Sequence, residues 1–103
     1  MPAYPVARLS DVPDPGALVV YAGGREIALF RTNGRVYALD NACQHVGGPL
    51  AEGHVEDGCV TCPWHEWRYR LEDGRRVGPG ELSVASYPVH IEDDEVWVQV
   101  GQT

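Results

Sequence analysis

Two short stretches of this chain each pair a thiol with an imidazole. Cys43-Gln44-His45 is followed, after sixteen residues (46–61), by Cys62-Pro63-Trp64-His65. Two cysteines and two histidines at such spacing make metal-ligand chemistry. A zinc finger normally sets Cys beside Cys and His beside His, whereas each pair here is mixed, with the cysteine first. Mixed pairs suit a cluster of two irons, two thiolates holding one iron and two imidazoles the other. Each stretch can then straddle the cluster and give one ligand to each iron. A structural zinc site built from the same four side chains is the alternative, and colour separates the two, since zinc sites are colourless.

The residues around the ligands carry a resemblance. Cys43-Gln44-His45-Val46-Gly47-Gly48-Pro49-Leu50-Ala51-Glu52-Gly53 resembles the first cluster loop of Rieske-type ferredoxins, and Val60-Thr61-Cys62-Pro63-Trp64-His65 resembles the second. Nearly the whole chain shares in the likeness; one departure is Glu66, where relatives carry glycine directly after the second histidine. The resemblance implies one [2Fe–2S] cluster on Cys43, His45, Cys62 and His65. It also implies an all-β fold of antiparallel sheets, a base domain with an inserted cluster-binding subdomain at about residues 40–80. Gly78-Pro79-Gly80, by itself a sharp turn, resembles the proline-containing loop that lies over the cluster in this family.

From that likeness comes an expected function. The protein is a soluble electron carrier rather than an enzyme, with no nucleophile or acid–base set in view. It takes electrons from a flavin-dependent ferredoxin reductase and passes them singly to a terminal oxygenase, such as an aromatic-ring dioxygenase. The small Rieske-like subunit of an assimilatory nitrite reductase is similar in length and strand pattern, but it often lacks part of the ligand set. In high-potential members of the family two further cysteines join the cluster loops, and Gly48 and Trp64 stand at those positions here. A potential toward the negative end of the roughly −150 to +300 mV range of such centres follows. The carboxylate of Glu66 pushes the same way, because nearby negative charge disfavours adding an electron. Imidazole ligands that can lose ring protons would couple proton and electron affinity.

Composition sets the outer bounds. A chain of 103 residues with no compositional break reads as one domain, 1–103. Fifteen Asp and Glu face eight Arg and no Lys, and a net charge of −7 argues against nucleic acid or an anionic membrane as partner. No apolar run is long enough to span a bilayer, and the start Met1-Pro2-Ala3-Tyr4 has neither the basic nor the apolar part of a secretory signal. Three cysteines, an odd number, argue against a disulfide framework, so a reducing cytoplasm is expected.

The elements that must position the ligands read as short strands between turn signals. Strands are expected at 4–9, 17–21, 26–31, 35–39, 59–62, 68–71, 86–92 and 95–100, with no helix-period stretch. Asn33-Gly34 is the strongest hairpin signal, because both central positions of a type I′ turn need positive φ. Glu56-Asp57-Gly58, Asp73-Gly74 and Asp93-Asp94 are further turns. Ile27 and Leu29 face inward, Val96, Val98 and Val100 share one face, and the terminal strands join the N-terminal ones in a base sheet. The rings of Trp64 and Trp67 cover apolar area around the ligands. Cys59 and Cys62, three apart in a strand, point to opposite faces, so Cys59 reads as a buried free thiol. His54 and His90 lack a partner motif and read as surface or turn residues.

Overall fold

Asn33 and Gly34 take φ values of 53° and 78°, the left-handed pair that a type I′ turn requires. They join β3 (Arg25–Thr32) to β4 (Arg35–Asp40). In the computed structural model, residues 3–41, 49–63, 67–78 and 83–100 are described. Preceding this hairpin are β1 (Ala3–Arg8) and β2 (Gly16–Ala22). Three short strands follow it, β5 (His54–Glu56), β6 (Cys59–Thr61) and β7 (Arg68–Arg70), then two-residue β8 (Arg76–Val77) and β9 (Ser86–Tyr87). The last strands are β10 (Val89–Glu92) and β11 (Glu95–Gln99). Two 3-10 turns, Leu9–Asp11 and Leu50–Glu52, are the only helical elements among the described residues.

The strands form three antiparallel sheets, ordered β1-β11-β10, β2-β3-β4-β9 and β5-β6-β7-β8. The chain is thus all-β, and β1 and β11 do pair, Tyr4 opposite Val98. β3 lies between two cores. Ile27 and Leu29 enter one with Val20, Ala38, Val96, Val98 and Val100. Ala28 and Phe30 enter the other with Leu39, Leu50, Val60, Cys62, Tyr69, Leu71 and Val84. All four of these β3 residues are fully buried. Burying one large side chain such as Phe30 contributes about 1.5–3 kcal/mol, so this strand anchors both halves. Arg31, at its far end, donates to the carbonyls of Leu9 and Val12 at 3.0 and 3.2 Å, fixing the proline-rich connection between β1 and β2.

Several expectations change. The stretch 86–92 is two strands in two sheets, β9 against β4 and β10 against β11, parted at Pro88. Proline has no N–H for a ladder, and its carbonyl instead accepts the Gln99 N–H at 3.0 Å. His54–Glu56 is a strand that pairs with β6 across the Asp57-Gly58 turn. His54 and His90 are exposed, as expected, yet both lie in strands, each ring nitrogen near a glutamate two residues on. Asp73-Gly74 lies, as expected, in a hairpin turn, the one that joins β7 to β8. Residues 71–74 form this turn, in which Gly74 at φ 75° donates its N–H to the Arg70 carbonyl at 2.7 Å. Cys59 is half-buried rather than buried.

Candidate metal centre

Of the four expected ligands, Cys62 is among the described residues; Cys43, His45 and His65 lie outside them, as do Trp64, Glu66, Pro79 and Gly80. What the structure does give is the frame from which those three segments depart. Each frame is closed by hydrogen bonds at its base.

Residues 42–48 leave from Asn41 at the end of β4 and return at Pro49. The Asn41 carbonyl accepts the Leu50 N–H at 2.7 Å. Its side chain oxygen accepts the Ala51 N–H, also at 2.7 Å. Residues 64–66 lie in the β6–β7 connection, whose base is the Cys62 N–H donated to the Trp67 carbonyl at 2.7 Å. Residues 79–82 are flanked by an antiparallel bridge of Arg75 with Ser83, and by the Val84 N–H on the Gly74 carbonyl at 2.9 Å. Leu50, Cys62 and Val84, which flank the three segments, share one buried cluster with Tyr69 and Leu71. The three segments are therefore rooted on the same core.

Gly53 brings the first two frames together. A Cβ on Gly53 would collide with the Thr61 carbonyl, so only glycine lets the 3-10 turn after the first segment lie against the strand before the second. The thiol of Cys62 is fully buried among the side chains of this cluster. A thiolate in apolar surroundings is disfavoured unless a cation compensates it, and a bound metal ion does so outright. A buried sulfur at the base of a Cys-x-x-His stretch thus fits a metal-cluster ligand. Among the described residues no group of three or more His, Cys, Asp and Glu forms a competing metal site.

Other side chains shape this end of the molecule. The Arg76 guanidinium lies over the Trp67 ring, 3.7 Å from its centroid. Tyr87 donates its hydroxyl to Asp40 Oδ1 at 2.7 Å, and burial, with the Asp40 carboxylate beside it, pushes the phenol up to about 12. Neither pair carried a sequence signal, and neither did the role of Asn41. Trp67 packs against the buried cluster, as expected of it.

Residues 2–88 match the family model described as the Rieske [2Fe-2S] domain. The anthranilate 1,2-dioxygenase ferredoxin subunit of Burkholderia cepacia is 33% identical over 99 residues, 95% of this chain and 92% of that one. Among solved structures, the ferredoxin of carbazole 1,9a-dioxygenase from Nocardioides aromaticivorans superposes with a TM-score of 0.87 at 28% identity, covering 95% of this chain and 97% of that one. A Mycobacterium tuberculosis protein assigned as an NADH-dependent nitrite reductase small subunit reaches a TM-score of 0.90 over 98% of this chain and 97% of its own. At 23% identity that last likeness is one of fold alone.

Proposed function

The chain belongs to the Rieske [2Fe–2S] domain family, and we propose that it holds its cluster through Cys43, His45, Cys62 and His65 and serves as the ferredoxin of an aromatic-ring oxygenase system. One [2Fe–2S] cluster is its cofactor, and electron transfer is its role. The ligand assignment rests on the sequence spacing of the two Cys/His pairs, and the observation that supports it is that Cys62 is buried in the same core from which the segment bearing Cys43 and His45 departs.

When bound, the cluster supplies one-electron oxidation and reduction. The chain's own part is to fix and shield it. Gly53 and the backbone bonds at the three bases hold the segments in place. Leu50, Tyr69, Leu71 and Val84 exclude water beneath Cys62. The electron donor is a flavin-dependent reductase and the acceptor a terminal oxygenase, which makes the chain a carrier without chemistry of its own. Relatives at about one-third identity that are ferredoxin subunits favour this reading over the nitrite reductase small subunit. Residues 40–80 make up the cluster-binding part, and a reducing cytoplasm suits its thiolate ligands. No helix among the described residues is long and apolar enough to cross a membrane.

The test is an absorption and EPR spectrum of the purified protein, oxidised and then dithionite-reduced, with iron and sulfide counted per chain. A red-brown protein with a low average g value after reduction, and a potential at the negative end of the family range, is expected. A colourless protein with stoichiometric zinc would overturn the reading. Electron delivery is tested by adding an NADH-linked reductase and a ring-hydroxylating oxygenase and following product.

A further inference from the structure

We infer that Asn41 is a positioning residue for the cluster, acting as a clamp that ties both ends of segment 42–48 to the Glu26 carboxylate on β3. This rests on the ligand assignment proposed above. Asn41 is the one buried polar residue among those described, 3% exposed. Its side chain Oδ1 accepts the Ala51 N–H at 2.7 Å, and its Nδ2 donates to Glu26 Oε2 at 2.6 Å. Its backbone N–H donates to the Glu26 carbonyl at 3.1 Å, and its carbonyl accepts the Leu50 N–H at 2.7 Å. The amide orientation is not arbitrary: a peptide N–H can only donate and a carboxylate only accept, so Oδ1 must face Ala51 and Nδ2 must face Glu26. The exposed Tyr21 hydroxyl lies 3.4 Å from the other carboxylate oxygen, Oε1.

Asn41 is buried, so an end of its side chain left without a partner, or a carboxylate put in its place beside Glu26, keeps its desolvation cost, whereas the Glu26 carboxylate is exposed and held to β3 by its own backbone. Backbone bonds alone would close the segment at Leu50. The side chain adds a second closure at Ala51 and a second tie to β3, where the Asn41 backbone already bonds the Glu26 carbonyl. Asn41 lies two residues before Cys43, so the clamp sets where the chain enters the first ligand pair.

The test exchanges donor and acceptor within the pair. In Asn41→Asp, Oδ1 still accepts from Ala51, but an oxygen now faces the Glu26 carboxylate. In Asn41→Asp with Glu26→Gln, the new amide donates to the new carboxylate, and both the net charge and the number of hydrogen bonds return to those of the parent. Cluster release into a chelator at neutral pH is followed by visible absorbance, and the visible circular dichroism of the bound cluster is recorded alongside. Asn41→Asp should lose its cluster about tenfold faster and show altered visible dichroism, and the double variant should return both to near the parent values. An unchanged release rate in Asn41→Asp would overturn the clamp. So would a double variant that fails to assemble its cluster or releases it as fast as Asn41→Asp. Lowered stability with unchanged dichroism in Asn41→Asp would overturn the positioning role. A parent protein without iron and sulfide would instead sink the ligand assignment, leaving these outcomes distinguishable.

Discussion

Tyr87, in the two-residue strand β9, hands its hydroxyl hydrogen to the carboxylate of Asp40 at the end of β4 across 2.7 Å. Only two residue pairs, Ala38 with Tyr87 and Leu39 with Ser86, hold β9 in its sheet, so this side-chain bond reinforces a short junction. Burial, then the Asp40 bond and charge, raise the phenol from 10.0 to about 12. The unfolded chain gives up this proton near its ordinary value, and the folded chain keeps it for longer. The contribution to stability is therefore whole below pH 10 and is lost as pH climbs through about 12. An ultraviolet titration should show a late-titrating phenol that Tyr87→Phe removes. At neutral pH that variant should cost about 1 kcal/mol in urea unfolding. A titration with every tyrosine near its ordinary value would contradict the bond.

Gly74 and Gly24 both sit in the left-handed region, at φ 75° and 78°. Around Gly24 nothing approaches within 4 Å of a built Cβ, whereas at Gly74 that atom would strike the Val84 carbonyl. Gly24→Ala should therefore cost only the backbone preference, about 1–2 kcal/mol. Gly74→Ala adds a collision at the base of segment 79–82 and should cost distinctly more, about 3 kcal/mol or above. Urea unfolding of the two variants side by side decides this, and equal losses would mean the close approach is unimportant.

Much of this frame was readable in the chain. Asn33-Gly34 and Asp57-Gly58 turn where their φ preferences demand, and Val96, Val98 and Val100 alternate onto one buried face. The burial of Ala28 and Phe30 was not readable, because local pattern marks one inward face and cannot announce a second core on the other side. Pro88 was a visible breaker whose consequence, a change of sheet, depends on partners distant in sequence. β5 is too short, and its outward His54 and Glu56 too polar, to stand out. At the site the types and spacing of the two Cys/His pairs pointed to the [2Fe–2S] chemistry of the family that the chain matches. The bonds that frame them come from Asn41, Glu26 and Trp67, whose roles exist only once distant backbone atoms meet.

Cys59 and Cys62 lie three apart, one half-buried and one fully buried. If Cys62 is a ligand and Cys59 is not, their serine variants must part company. Cys59→Ser should keep parent levels of iron and sulfide. Cys62→Ser should bind at least about tenfold less cluster, since an alkoxide is a far poorer iron ligand than a thiolate. Iron and sulfide content per chain is the measurement. Equal loss in both would reassign the ligand set.

Arg76 carries its charge onto Trp67, 3.7 Å from the ring centroid, and Trp67 stands two residues beyond His65. The same Trp67 carbonyl receives the Cys62 N–H, so the cation is placed beside the second ligand stretch of an otherwise acidic protein. Positive charge near a redox centre favours the form with one more electron. Arg76→Gln should lower the midpoint potential and, by uncovering the indole, shift tryptophan emission to the red. The stacking itself contributes roughly 0.5–2 kcal/mol. Arg76→Lys separates the two effects: the charge persists, so the potential should stay near the parent value, while the planar stacking is lost and the emission still shifts. A redox titration followed by EPR, with emission spectra of the same samples, reads both. A potential unmoved in Arg76→Gln would mean that the guanidinium serves packing alone.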